Sequence, residues 1–215
     1  MLAKLEKKCK DFFNKYNVAD LCYSSSKIIF ILESPHKQEV KYGYPVAGSS
    51  GLEMSKFIYG AQINQPFGKL LNQVKKNQAL TPELEKFAVV NTSCVPLQAS
   101  ALQKFELNES ESKIMSILEK LRGNYQSKTH RKKSWNIIKQ ELINNFKYRL
   151  KQAIETTNSK YIIPCGKFAT TYLDLIAKQD LIQQNKILTG IPHPAFNQWS
   201  YFDEMSKLEE IIKRL

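Results

Sequence analysis

The stretch Lys27-Ile28-Ile29-Phe30-Ile31-Leu32, running directly into Glu33-Ser34-Pro35-His36, decides the fold. An unbroken apolar run rich in β-branched residues, with no polar alternation, reads as a short strand buried on both faces. Such strands belong to parallel sheets covered by helices on each side. Working outward, Phe87-Ala88-Val89-Val90-Asn91, Tyr161-Ile162-Ile163-Pro164 and Lys186-Ile187-Leu188-Thr189 read as three more strands. Helical spacing fills the intervals. Leu2, Leu5, Cys9, Phe12, Phe13 and Tyr16 share one face of a first helix, and residues 52–59 and 67–77 read as two more. Thr81-Pro82 caps another short one, with Thr81 as N-cap and Pro82 at the first helical position. Further helices are marked by Ile114 to Leu121, by the stripe Trp135, Ile138, Leu142, Phe146, Leu150 and Ile154, by Lys167–Lys178, and by Met205 to Leu215. Residues 33–51 and the polar stretch 97–111 read as connections. The expected architecture is a single α/β domain over residues 1–215: three α/β/α layers around a central four-stranded parallel sheet.

In an open parallel sheet, ligands bind beyond the carboxyl ends of the strands. Each such end here carries reactive or shape-setting residues. They are Glu33-Ser34-Pro35-His36, Asn91-Thr92-Ser93, Pro164-Cys165-Gly166 and Pro192-His193-Pro194. A carboxylate such as Glu33 at the mouth of a buried sheet has a tunable pKa, and Glu39 places a second one nearby. Asn91 offers a donor and an acceptor together, which suits the edge of a base. His193, held between two prolines, can act as a neutral hydrogen-bond donor to a developing oxyanion. His36 is expected to line the site, and His130 to face solvent. Each of these types also has a structural use, as a cap, a turn or a core hydrogen bond.

Composition narrows the partner. The 215 residues include 32 Lys and Arg against 20 Asp and Glu, a formal charge of +12. A polyanionic partner is expected, with Lys128, Arg131, Lys132 and Lys133, and Lys147, Arg149 and Lys151 further on, as candidate phosphate contacts. The four cysteines form no C-x-x-C pair and match no zinc spacing, so they read as reduced thiols, and neither metal nor cofactor is expected. Gly43-Tyr44-Pro45-Val46-Ala47-Gly48-Ser49-Ser50-Gly51 can bring backbone close to a ligand but lacks the Gly-Lys-Ser/Thr ending of a phosphate-binding P-loop. Met1 to Lys10 alternates Lys with Leu, unlike a signal peptide. No run approaches the ~18 apolar residues of a membrane span. A cytoplasmic monomer is expected.

At these residues the chain resembles the uracil-DNA glycosylase superfamily. The first motif of its family-four branch, G-E-A-P-G-x-x-E-D, is similar to Leu32-Glu33-Ser34-Pro35-His36-Lys37-Gln38-Glu39-Val40. Glu33, Pro35 and Glu39 fall in register. Gly43, Pro45, Gly48 and Gly51 match the second half, G-x-P-F-x-G-x-A-G. The I-T-N strand end resembles Val89-Val90-Asn91, and V-x-L-G-x-x-A resembles Ile162 to Ala169. The closing H-P-A is similar to His193-Pro194-Ala195. Ser34 stands where the best-known branch has aspartate, Val46 where a base-stacking phenylalanine is expected, and the iron–sulfur cysteines of family four have no counterpart.

The resemblance implies a monofunctional DNA glycosylase acting on a flipped uracil-like or modified base. Glu33 and His193 would be catalytic, with Glu39 as the alternate carboxylate. Asn91, Ser34, Pro35, His36 and Val46 would meet the base, with Tyr44 or Phe67 as substitute stacking rings. Gly48, Ser49, Ser50, Lys167, Ala195, Phe196 and Asn197 would meet single- or double-stranded DNA, Phe196 as a wedge. Two other readings stand beside it: a nucleic-acid-binding protein of the same fold without catalysis, and an unrelated hydrolase or transferase acting on a small anion.

Overall fold

The computed structural model describes residues 2–76, 83–177, 187–196 and 198–215. Its centre is β1 (Ile28–Leu32), every residue of which is buried. Parallel pairing joins β1 to β2 (Phe87–Asn91) on one side and to β3 (Tyr161–Pro164) on the other, giving the strand order β2-β1-β3. The registers are Leu32 opposite Asn91 and Ile31 opposite Pro164.

Alternation along the strands divides the core in two, as period-2 geometry requires. Ile29, Ile31, Ala88, Val90 and Ile162 face α1 (Leu2–Lys15), α5 (Glu109–Gly123), α6 (Lys133–Thr156) and α7 (Lys167–Ile176). Ile28, Phe30, Phe87, Val89 and Ile163 face α3 (Ser49–Tyr59), α4 (Phe67–Lys75) and α8 (Met205–Lys213). The opposite walls are closed by Phe12 and Phe146 on the first face and by Met54, Phe67 and Trp199 on the second, all but fully buried. Among the described residues no helix is long and apolar enough to cross a membrane.

Among the described residues the expected fourth strand is not formed. Ile187 adds a single parallel bridge to Ile162, and the Leu188 N–H donates to the Ile162 carbonyl (3.0 Å). Thr189 and Gly190 are exposed, and Gly190, at φ +89°, turns the chain away before a ladder can grow. Lys186 lies outside the described residues, as do the Thr81-Pro82 cap and Lys178. The described sheet therefore has three strands, not four.

The expected loop 33–51 also differs. It contains α2 (Lys37–Tyr42), whose N-cap His36 and N3 residue Glu39 form a capping box, and α3 begins at Ser49. Local hydrogen bonding made a helix where apolar periodicity was too short to reveal one. The connection 97–111 likewise holds a 3-10 turn at Ala99–Leu102, and α5 starts at Glu109 under an Asn108–Glu111 capping box.

Two glycines set the packing around this segment. A Cβ on Gly51 would lie 1.8 Å from the Val46 carbonyl oxygen, and one on Gly68 would lie 1.8 Å from that of Pro45. The starts of α3 and α4 thus press directly on the Pro45–Val46 backbone, where the Gly68 N–H donates to the Val46 carbonyl (3.1 Å). Replacing Gly68 with Ala should destabilise the fold by about 3 kcal/mol or more. Gly123→Ala, with nothing within 4 Å of the new carbon, should be neutral or mildly stabilising. Urea unfolding of the two variants reads the difference.

Candidate functional site

The strand register places the site. Because Leu32 lies beside Asn91, the residues after them stay paired. The Thr92 N–H and hydroxyl both donate to the Leu32 carbonyl (2.8 and 2.7 Å), and the Ser93 N–H donates to the Glu33 carbonyl (3.0 Å). At the end of β3 the Cys165 N–H donates to Ile31 (2.8 Å) and the Gly166 N–H to Ile191 (2.9 Å). This last bond carries His193 to the sheet end. A Cβ on Gly166, which adopts φ +88°, would lie 3.0 Å from the His193 Cβ, so this close approach needs glycine.

The result is one cleft of about 530 Å³. Glu33, Ser34, His36, Glu39, Asn91 and His193 line it from the strand ends and the turn after β1. Val46, Gly48, Ser49 and Ser50 line it from the start of α3, and Ala195 and Phe196 from the far rim.

Asn91 is the most informative of these. It is 1% exposed, and neither its Oδ1 nor its Nδ2 has a hydrogen-bond partner. A buried carboxamide left unsatisfied costs about 1–3 kcal/mol per orphaned group. Its backbone, by contrast, is fixed. Asp20 accepts from the Asn91 N–H (3.3 Å), and Arg149 Nη2 donates to the Asn91 carbonyl (2.7 Å) and the Thr92 carbonyl (3.0 Å). Arg149 Nη1 also donates to both Asp20 carboxylate oxygens (2.8 Å each), closing the clamp.

His193 is half-buried and its tautomer is set by a neighbour. The Ala195 N–H donates to Nδ1 (3.2 Å), so in the neutral ring the proton is on Nε2. Burial lowers its pKa from the usual imidazole range; Glu33 opposes this and Arg122 assists it. The loop is braced from behind: Trp199 Nε1 donates to the Pro192 carbonyl (2.9 Å), and the Ser200 hydroxyl donates to the buried Glu53 (2.8 Å).

The two carboxylates differ. Glu33 is ion-paired with Arg122, whose Nε donates to its Oε1. Glu39 accepts from the His36 N–H through Oε2 and from the Val46 N–H through Oε1 (2.7 Å each). It thereby ties the two ends of the α2 segment together. Burial pushes its pKa up to about 7 against these two bonds. The Asn91 carboxamide lies near enough to ease Glu39 ionisation, yet neither amide atom reaches hydrogen-bond geometry with it.

Two rim residues adopt left-handed backbone that side chains disfavour: Val46 at φ +48° and Phe196 at φ +62°. Such conformations cost about 1–3 kcal/mol and gather at ligand sites. Phe196 is 93% exposed beside the cleft.

Other expected residues lie elsewhere. Pro35 is buried and shapes the turn without lining the cleft. Tyr44 stacks on Tyr42 (6.0 Å between centroids) outside it. Phe67 is fully buried, edge-on to Phe30 and Phe87, and is no ring for a ligand in this cleft. Lys167 opens α7, exposed and away from the lining. Asn197 lies outside the described residues. His130, expected to face solvent, is partly exposed: Asn136 bonds both its N–H and its carbonyl (2.8 and 2.7 Å), and its ring packs on Trp135 with Nε2 buried.

Sequence reasoning missed Arg122, Gln38, Gln98 and Gln198, all of which line the cleft. Arg122 follows Leu121 at the edge of an apolar helix stripe, a position that carries no signal by itself. Among the described residues no three His, Cys, Asp or Glu side chains converge as a metal site. The four cysteines are unpaired, and burial pushes the thiols of Cys9 and Cys94 up to about 12 and about 11. No known protein-family model and no curated protein matches the chain.

Glu39 gives the site a pH signature. Its folded pKa of about 7 lies above the ordinary 4.5. Between those values the folded chain holds a proton that the unfolded chain has lost. This contribution is therefore complete below about pH 4.5 and falls away as pH rises to 7. Glu39→Gln should lower stability overall but flatten that decline, seen as a smaller difference between urea midpoints at pH 5 and pH 8.

Proposed function

We propose that the chain is a DNA glycosylase of the uracil-DNA glycosylase superfamily, with three α/β/α layers, that hydrolyses the N-glycosidic bond of a flipped uracil-like or modified base. The observation that carries the reading is the buried, unpartnered carboxamide of Asn91, facing the same cleft as Glu33 and the Nε2–H tautomer of His193. The order and strand-end placement of the motifs support it.

An extruded base satisfies Asn91 by presenting a donor and an acceptor along one edge. As the bond from C1′ to the base nitrogen breaks, its electron pair stays on the base and positive charge grows on the sugar. Neutral His193 donates from Nε2 to the base oxygen where negative charge gathers. Glu33 faces the sugar cation and takes the proton of the water whose oxygen bonds to C1′. That proton passes to the released base, leaving an abasic sugar. Phe196 fills the gap left in the stack. Glu39, held by two backbone donors, positions the segment rather than reacting. Its proton-sharing near neutrality and the Glu33–Arg122 pair together limit the repulsion that two carboxylates would present to DNA.

A second reading has its own observation: both carboxylates of the cleft are already engaged, Glu33 by Arg122 and Glu39 by two N–H groups. That favours a nucleic-acid-binding protein of the same fold without excision.

Labelled oligonucleotides, single- and double-stranded, carrying uracil, hypoxanthine, xanthine, or hydroxymethylated or glucosylated cytosine distinguish the two. Alkali-labile sites should form on one of these bases. His193→Ala should slow their formation by about 10²- to 10³-fold, and Asn91→Ala should abolish the base preference. Salt-dependent binding with no alkali-labile product on any base supports the binding reading and overturns the first.

A further inference from the structure

Among the described lysines and arginines, Arg122 lines the cleft, on the last turn of α5. Only its Nε is engaged, by Glu33; the terminal Nη1 and Nη2 make no hydrogen bond among the described residues. A guanidinium with its two-pronged end open is a receptor for an oxyanion, since a planar fork matches two phosphate oxygens. The cleft lining adds neutral donors. The eleven-residue helix α3 opens onto it through Gly48, Ser49 and Ser50, with no side chain capping its first N–H groups. Such groups favour an anion. Buried Asn91, with both amide atoms unpartnered, points independently to a ligand in the same space. The side chains of the Glu33–Arg122 pair are 21% and 39% exposed, so water and ligand reach both partners.

We propose that Arg122 is a phosphate receptor in the cleft, and that its ion pair with Glu33 is exchanged for a phosphate group of the bound nucleotide. In the free chain Arg122 occupies Glu33. When a nucleotide phosphate enters, the guanidinium turns to it and Glu33 is released toward the sugar. The cleft then selects a phosphorylated ligand over a free base or nucleoside, and the carboxylate becomes available only when that ligand is present. The inference rests on reading the cleft as a nucleotide site. The phosphate chemistry is shared by a DNA strand and by a free nucleotide.

Binding is measured by calorimetry with two ligands that separate these sources. One is a hexanucleotide with a tetrahydrofuran abasic residue at its centre, the other deoxyuridine 5′-monophosphate. Arg122→Gln should weaken binding of at least one of them by about tenfold or more, with about one phosphate contact removed from the salt slope. Arg214→Gln, the same charge loss at an exposed residue just past α8, should weaken it by less than about threefold. The ligand that shows the difference identifies the source. Exchange adds a sharper expectation. Glu33→Gln should tighten binding severalfold in the wild-type background, and this gain should vanish in Arg122→Gln, a coupling read by the double-mutant cycle.

Equal weakening by Arg122→Gln and Arg214→Gln, wild-type binding by Arg122→Gln, or no binding of either ligand overturns the phosphate receptor. A Glu33→Gln gain that persists without Arg122, or no gain, overturns the exchange. Neither ligand contains a cleavable uracil in DNA, so the outcome is separate from excision. Arg122-dependent binding without excision defeats the glycosylase reading alone. Excision and binding unaffected by Arg122→Gln defeat this inference alone.

Discussion

The in-register parallel pairing of β1 with both of its neighbours is the constraint on which the rest depends. All five β1 residues are buried, and both edges of the strand are hydrogen-bonded. The chain can leave such a strand only at its ends, and the register decides what stands beside it there. Leu32 opposite Asn91 sets Glu33 next to Thr92 and Ser93. Ile31 opposite Pro164 sets Cys165 and Gly166 one step beyond, and Gly166 then receives the His193 loop through Ile191. A slip of one residue would send every side chain of β1 to the wrong face. The two cores therefore fix the site as firmly as they fix the sheet.

Around that frame, several polar side chains are spent on backbone, while the Asn91 carboxamide and the outer face of Arg122 stay open to the cleft. Asp20 and Arg149 hold the peptide at Asn91. Glu39 holds the peptides at His36 and Val46, and Trp199 holds the peptide at Pro192. What these clamps leave unpartnered is the Asn91 carboxamide and the outer face of the Arg122 guanidinium. Pre-organised, unsatisfied polar groups in a concave site are what a ligand recognises.

Much of this was legible in the sequence, and for identifiable reasons. KIIFIL, FAVVN and YIIP are unbroken apolar runs, and each became a strand. The helices with long apolar stripes, α1, α5 and α6, follow from 3.6-residue periodicity. Glu33 and Asn91 meet in one cleft because strand ends converge by topology, whereas His193 joins them through the Gly166–Ile191 bond and not from a strand end. Shorter signals failed. KILT (186–189) looks like a strand but is followed by Gly190 and Pro192, and among its described residues only Ile187 bridges to the sheet. The helix α2 is six residues long and rests on the Glu39 cap, which no periodicity reports. Phe67 looks like a ring near a glycine-rich loop, yet Gly68 pulls its backbone onto Pro45 and buries the ring in the core. Arg122 meets Glu33 across 89 positions of sequence. Only the folded chain brings those charges together.

On the proposed function, a nucleotide enters this cleft and engages Asn91. The direct measurement follows the Asn91 side-chain amide pair by nitrogen-edited NMR while an oligonucleotide with a non-cleavable 2′-fluorinated deoxyuridine is added. Entry of the base predicts a large displacement of that pair, together with the His193 ring, saturating with the bound fraction. Unmoved Asn91 and His193 signals, with shifts confined to the exposed lysines of the loop at 128–133, would contradict it.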